Sequence, residues 1–231
     1  MGKDVIIACD FPGQSELFDF LSKLNKQKPY LKIGLEMFCK YGPELVKRLK
    51  GEGYGIFLDL KLHDIPNTVR GAAKSVAALG VDMLNVHAAG GKEMMRSALE
   101  GLREGGSSKT LLIAVTQLTS TNRAVMNEEI LIPGTVENAV ASYAKNAEAS
   151  GLNGVVCSPL EIGKIKSICG SDFITVTPGI RYPNTDSQDQ KRVSSPGDAK
   201  EMGGDYIVVG RPITQSDDPN SSYERFKNDF V

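Results

Sequence analysis

The chain has 231 residues, 41% of them hydrophobic and 24% charged, with a formal net charge of −1. That near-neutral balance argues against a dedicated nucleic-acid or membrane-surface protein, and no apolar run approaches the ~20 residues of a membrane span. The length accommodates one large α/β domain or two small ones, and either buries an ample core.

From the N-terminus, Met1-Gly2-Lys3-Asp4 leads straight into an apolar run without a signal-peptide pattern. Short apolar runs then alternate with segments of helical periodicity. Strands are expected at 5–8, 30–33, 55–58, 83–86, 111–115, 154–157, 173–177 and 206–209. The helices between and after them are expected at 15–24, 41–50, 67–79, 92–104, 135–150, 159–167, 196–202 and 221–230, with glycines at the turns. Eight strand-helix units without a composition break predict a parallel sheet covered by helices. Eight units close into a single (β/α)₈ TIM barrel over residues 1–231, and the length is near the ~250 residues typical of one. A doubly wound open sheet is the competing fold, but no Gly-x-Gly-x-x-Gly follows an early strand.

Polar residues follow nearly every predicted strand: Asp10, Lys32, Asp59, Lys61, His87, Thr116, Thr119, Ser158, Arg181 and Arg211. In a barrel they gather around the C-terminal mouth, where barrel enzymes hold their sites. The densest stretch is Asp59-Leu60-Lys61-Leu62-His63-Asp64. Strand alternation turns Asp59 and Lys61 to one face, and Asp64 lies just beyond, where Ile65-Pro66 ends the strand and Asn67 or Thr68 can cap a helix. A lysine between two carboxylates stays cationic, which suits a proton donor better than a nucleophile. Asp-x-Lys alone is better explained by a structural ion pair; a third charge at a barrel mouth reverses that preference and favours a site.

The last two loops carry Thr177-Pro178-Gly179-Ile180-Arg181, running on through Gln190, and Gly210-Arg211-Pro212. Glycine lets backbone N–H groups approach an anion, and arginine offers a planar fork. Barrels often hold phosphate with the loops after strands seven and eight, so a phosphorylated ligand is expected. Cys9, Cys39, Cys157 and Cys169 lack CxxC spacing and are expected to be reduced, buried thiols of a cytoplasmic protein. With two histidines, neither at ligand spacing to a cysteine, no zinc site is expected.

These blocks resemble the orotidine 5′-monophosphate decarboxylase family in its bacterial branch. The resemblance rests on Ala8-Cys9-Asp10, Leu31-Lys32-Ile33-Gly34, the run from Phe57 to Pro66, Asn85-Val86-His87-Ala88-Ala89-Gly90-Gly91, the run from Ala114 to Ser120, the run from Val176 to Arg181, and Ile207-Val208-Val209-Gly210-Arg211. It implies conversion of orotidine 5′-monophosphate to UMP, the last step of pyrimidine nucleotide synthesis, without cofactor or metal. Lys61 would protonate carbon 6 of the pyrimidine, within a charged network of Lys32, Asp59 and Asp64. Asp10 and Lys32 would hold the ribose hydroxyls, and Thr119 would address the pyrimidine. Gln190, Gly210 and Arg211 would bind phosphate, with Pro178 and Arg181 shaping that end of the substrate site. Asp64, Ile65 and Thr68 would be lent to a neighbouring subunit, making a homodimer with shared sites.

Two other readings compete. The keto-gulonate-phosphate decarboxylases and hexulose-phosphate synthases share Asp-x-Lys-x-x-Asp but use Mg²⁺, supported by a Glu at the end of the second strand; this chain has Lys32 there. A catalytically silent nucleotide-binding protein on the same fold is the other. His63 is expected to serve packing or an interface, and His87 either the charged network or the fold.

Overall fold

The computed structural model describes residues 3–25, 27–182 and 194–231. Strands β1 (Asp4–Ala8), β2 (Tyr30–Gly34), β3 (Gly55–Leu62), β4 (Met83–His87), β5 (Leu111–Val115), β6 (Gly154–Val156), β7 (Ile174–Pro178) and β8 (Tyr206–Val209) pair in parallel and in sequence order. The barrel closes where β8 returns to β1, with Asp4 opposite Tyr206 and Ile7 opposite Val209. The fold is therefore the expected (β/α)₈ barrel, not an open doubly wound sheet.

Alternation along each strand builds two apolar layers. Ile6, Phe57, Met83, Ile113, Val176 and Val208 fill the barrel. Their neighbours, such as Val5, Ile7, Ile56 and Leu58, pack outward against the helices. The helical layer comprises α1 (Gln14–Ser22), α2 (Leu35–Gly51), α3 (Pro66–Ala77), α4 (Gly91–Glu104), α5 (Val136–Ala149), α6 (Ile162–Cys169), α7 (Pro196–Glu201), α8 (Arg211–Thr214) and α9 (Pro219–Phe230). Burial of both layers supplies the main driving force, at roughly 25 cal/mol per Å² of apolar surface.

The differences from the sequence expectation are local. Helix α2 begins six residues before position 41 and is broken at Gly42 (φ 62°), with Pro43 opening the second stretch. Helix α3 starts at Pro66 with Ile65 as its N-cap and no side-chain cap, so neither Asn67 nor Thr68 caps it: proline opens the helix, and both residues lie inside its first turn, past the capping position. Thr135, by contrast, does cap α5 by accepting from the Asn138 N–H at 3.2 Å. The four cysteines are free, but only Cys9 and Cys157 are buried; Cys39 is exposed, on the outer face of α2. Among the described residues no helix is long and apolar enough to cross a membrane.

Candidate active site

Strand β3 carries Asp59 and Lys61 to the mouth of the barrel. Its first half is regular, with Phe57 facing inward opposite Lys32 of β2. Beyond it the register against β4 slips: Leu58 pairs with Leu84, yet Leu62 pairs with Val86, so four steps on β3 meet two on β4. Lys61 sits in this bulge with φ 50°, a left-handed conformation uncommon for a residue with a Cβ. Simple alternation therefore does not explain why Asp59 and Lys61 meet. The bulge re-aims Lys61, whose Nζ lies 2.7 Å from Asp59 Oδ1. Asn85 of β4, fully buried, bridges the two: its Nδ2 donates to Asp59 Oδ1 at 2.6 Å, and its Oδ1 accepts from the Lys61 backbone N–H at 2.7 Å.

The other oxygen of Asp59 faces Lys32. Lys32 Nζ stands 3.3 Å from Asp59 Oδ2 and 3.3 Å from Asp10 Oδ1. Four side chains from three strand ends thus form a continuous line of alternating charge, Asp10, Lys32, Asp59 and Lys61. Burial opposes charge on Lys32, but the carboxylates of Asp59 and Asp10 outweigh it and hold its pKa above the usual lysine value. Burial likewise opposes ionisation of Asp59; the ammonium groups of Lys32 and Lys61, with the Asn85 amide, overcome it and lower its pKa. Gly34, at the end of β2, makes room for this line: a Cβ there would come within 3.2 Å of both Asp10 Oδ1 and Lys32 Nζ.

Two cavities meet at this line. One, of about 180 Å³, is bounded by Lys32, Asp59, Lys61, Gln117 and Thr119, with Phe57, Val156 and Val208 as apolar walls. The other, of about 430 Å³, is bounded by Asp10, Lys32, Gly179, Arg181, Gly210 and Arg211. They share Lys32, Pro178 and Val208, giving a small, largely apolar recess beside the charges and a polar, cationic recess toward α8. Volumes of a few hundred Å³ with a few convergent polar groups suit a small-molecule site. A larger cavity of about 750 Å³ lies on the far side of Arg211, against α9. It shares Arg181, Arg211, Pro212 and Gln215 with the cationic recess but carries no residue of the charged line.

Of the residues expected to form a site, Asp10, Lys32, Asp59, Lys61, Thr119, Pro178, Arg181, Gly210 and Arg211 line these two cavities. Gln190 lies outside the described residues. Asp64, Ile65 and Thr68 stay on the exposed rim, and Ile65 is 67% exposed. Asp64 Oδ1 accepts from the Ile65 N–H at 2.6 Å, and among the described residues of this chain Asp64 makes no ion pair. The charged line within one chain therefore ends at Lys61, and Asp64 is not part of it. His63 and His87 stack on one another with ring centroids 5.4 Å apart. Burial, then His63 and Lys61, push the His87 imidazole below its usual pKa, and its Nδ1 is buried without a hydrogen-bond partner.

Sequence reasoning gave no role to Asn85 or Gln117. An asparagine amid the apolar residues of β4 was the available signal for the first. Gln117, two residues before Thr119 and buried, had only its place after β5.

An eight-stranded barrel with a charged, two-part cleft at its C-terminal mouth has the architecture of barrel enzymes acting on phosphorylated small molecules. The chain matches the model of the orotidine 5′-phosphate decarboxylase / HUMPS family over residues 3–226, and it belongs to that family. Orotidine 5′-phosphate decarboxylase from Bacillus cytotoxicus is 52% identical over 233 aligned residues, covering 100% of this chain and 98% of the relative. The enzyme of that name from Bacillus cereus strain B4264 gives the same identity and coverage. Among solved structures, orotidine 5′-phosphate decarboxylase from Lactobacillus acidophilus superposes with a TM-score of 0.90 at 44% identity, covering 99% of each chain. An uncharacterized conserved protein from Geobacillus kaustophilus superposes at 0.87 with 42% identity, covering 98% of this chain and all of the other.

Proposed function

We propose that this protein, acting as one barrel domain in the cytoplasm, decarboxylates orotidine 5′-monophosphate to UMP, the last step of pyrimidine nucleotide synthesis. The observation that carries the reading is the alternating line Asp10–Lys32–Asp59–Lys61, which ends beside the small apolar recess, while the cationic recess lies at its other end. Loss of CO₂ from carbon 6 of the pyrimidine leaves an electron pair in an sp² orbital that the ring carbonyls do not delocalise well. The fitting catalyst is a fixed ammonium close to that carbon, able to stabilise the developing charge and then donate a proton. Lys61 is placed for both, with one N–H directed at Asp59 and the others available to the cavity. Asp59 lies where it would face the substrate carboxylate, and their repulsion would fall as CO₂ departs.

The remaining contacts follow from the two recesses. Asp10 and Lys32, at their junction, suit the ribose hydroxyls. Thr119 borders the pyrimidine recess, and Gly210, Arg211, Arg181 and Pro178 border the phosphate end, to which Gln190 is assigned by family resemblance. Binding energy from a phosphate remote from the reacting carbon can be used to stabilise the transition state. The exposed Asp64, Ile65 and Thr68 are proposed to complete the site of a second subunit in a homodimer. Four free thiols agree with a reducing compartment.

Lys32 also separates this reading from the Mg²⁺-dependent branch covered by the same family model. Its ammonium already sits between the two carboxylates that a divalent ion would need, and it would repel that ion. Spectrophotometric decay of orotidine 5′-monophosphate, followed with and without EDTA, tests the proposal. Turnover that survives chelation is expected. No turnover would refute the reading, and turnover lost to EDTA and restored by Mg²⁺ would favour the metal-dependent chemistry.

A further inference from the structure

Asn85 has no place in the chemistry above, yet it is a fully buried polar side chain bonded to two residues of the charged line. It sits in the middle of β4 with no exposed surface. A buried amide is tolerated only when its donors and acceptor are matched, and here both ends are spent on the same two residues. Its Nδ2 donates to Asp59 Oδ1 at 2.6 Å, and its Oδ1 accepts from the Lys61 N–H at 2.7 Å. These contacts fall where the β3–β4 ladder is interrupted between Leu58 and Leu62, so the side chain replaces a backbone pairing that the bulge removes. The bulge is also where Lys61 adopts φ 50°, a conformation that an L-residue holds only when its surroundings require it.

We infer that Asn85 is a positioning residue for Lys61: its carbonyl oxygen holds the left-handed backbone that aims the ammonium, and its amide turns one oxygen of Asp59 to receive that ammonium. The inference rests on the proposal that Lys61 is the proton donor. Asn85 itself touches neither cavity, so it acts through Asp59 and Lys61 rather than on substrate. The geometry also explains why aspartate would not substitute at this position. Its carboxylate could still accept from the Lys61 N–H but would stand against Asp59 Oδ1, and two carboxylates so close share a proton.

The test uses full-length Asn85→Ala and Asn85→Asp proteins, with turnover of orotidine 5′-monophosphate, binding of UMP, and the pH profile of kcat as readouts. Wild-type turnover is established first; its absence would fail the functional reading and this inference together. Given an active wild type, Asn85→Ala is expected to lower kcat at least tenfold while UMP affinity stays within threefold, because the ribose and phosphate contacts arise elsewhere. Asn85→Asp, which preserves volume, is expected to move the acidic limb of the kcat profile upward by at least one pH unit, since Asp59 must lose a shared proton before it can hold Lys61. A crystal structure of Asn85→Ala should find residue 61 outside the left-handed region. A fall in kcat of less than tenfold, or equal losses of kcat and UMP affinity, would overturn the inference. Failure of both variants to fold would do the same, by assigning Asn85 to the fold alone.

Discussion

Replacing Asp59 by asparagine should destabilise the folded protein by about 3 kcal/mol, and the structure gives the reasons for that size. Asp59 is the hub of the charged line, 2.7 Å from Lys61 Nζ and 3.3 Å from Lys32 Nζ, with its side chain 10% exposed. At an effective dielectric of about 20, unit charges this close attract by about 5–6 kcal/mol, before desolvation is subtracted. Removing one member of a buried pair typically costs about 3–5 kcal/mol, because the partner stays buried and uncompensated. Two features place this case at the low end. Lys61 is 31% exposed and can turn to water, while Lys32 keeps Asp10. For a chain of this length about 3 kcal/mol corresponds to a fall in Tm of roughly 6–12 °C. Asp10→Asn is the control: that side chain is 57% exposed, so screening should limit its effect to about 1 kcal/mol or less. The pH dependence supplies a second signature. Asp59 has a folded pKa below its usual value, so its contribution is full above about pH 4 and fades as pH falls through the folded pKa. Lys32, with its pKa raised, contributes fully below about pH 10 and less as pH rises through its folded value. Thermal melts from pH 3 to 10 should therefore show wild type and Asp59→Asn well separated at neutral pH and converging in acid. A difference in Tm under 2 °C at pH 7, or a gap unchanged at pH 3, would refute the hub.

Lys61→Ala should leave UMP binding measurable in a titration but reduce kcat by at least 10³-fold, the upper part of the range for a general acid; retention of a tenth of wild-type kcat would remove Lys61 as proton donor. Arg211→Ala should act mainly on KM, lowering kcat/KM by about 2–4 kcal/mol of charged hydrogen bonding, and steady-state kinetics in which kcat falls while KM holds would contradict its place at the phosphate end. Mixing Lys61→Ala with Asp64→Asn, each nearly inactive alone, should restore activity to roughly a quarter of the sites if subunits exchange randomly and the site is shared across a two-fold axis. With exchange verified by mass-tagged subunits, no recovery would place both residues in one chain's own site.

The barrel was legible because parallel strands buried on both faces read as short continuous apolar runs, as in Leu111–Val115, and glycine punctuates the helix ends. What sequence could not supply was geometry arising between strands. Asp59 and Lys61 were expected on one face from alternation alone, whereas they meet because β3 gains two residues over β4 and Lys61 turns left-handed. Nothing local to positions 55–62 announces that bulge; the side chain that bonds the Lys61 N–H within it, Asn85, is more than twenty residues away. Helix α2 was only half legible: the expected segment at 41–50 is the stretch after the break at Gly42, where Leu45, Val46 and Leu49 are buried, whereas the stretch from Leu35, with Met37 alone buried, offers too little apolar periodicity to announce itself. The rim residues Asp64, Ile65 and Thr68 were assigned a role by resemblance, and the single chain leaves them exposed.

The charge count along the line favours a chemistry of fixed ammonium groups. Asp10 and Asp59 are offset by Lys32 and Lys61, so within one chain the line is neutral while its cationic end reaches the small apolar recess. An anionic substrate entering that recess meets an ammonium first, with the arginines of the last two loops at the opposite end. Were position 32 a glutamate, Lys61 would face an excess of carboxylates, and a divalent cation would be the natural counter-charge. With lysine there, the counter-charge is covalently part of the protein, held by two carboxylates at 3.3 Å. Lys32→Ala is therefore expected to cost more than one ion pair, because it strips Asp10 and Asp59 together of the ammonium they share.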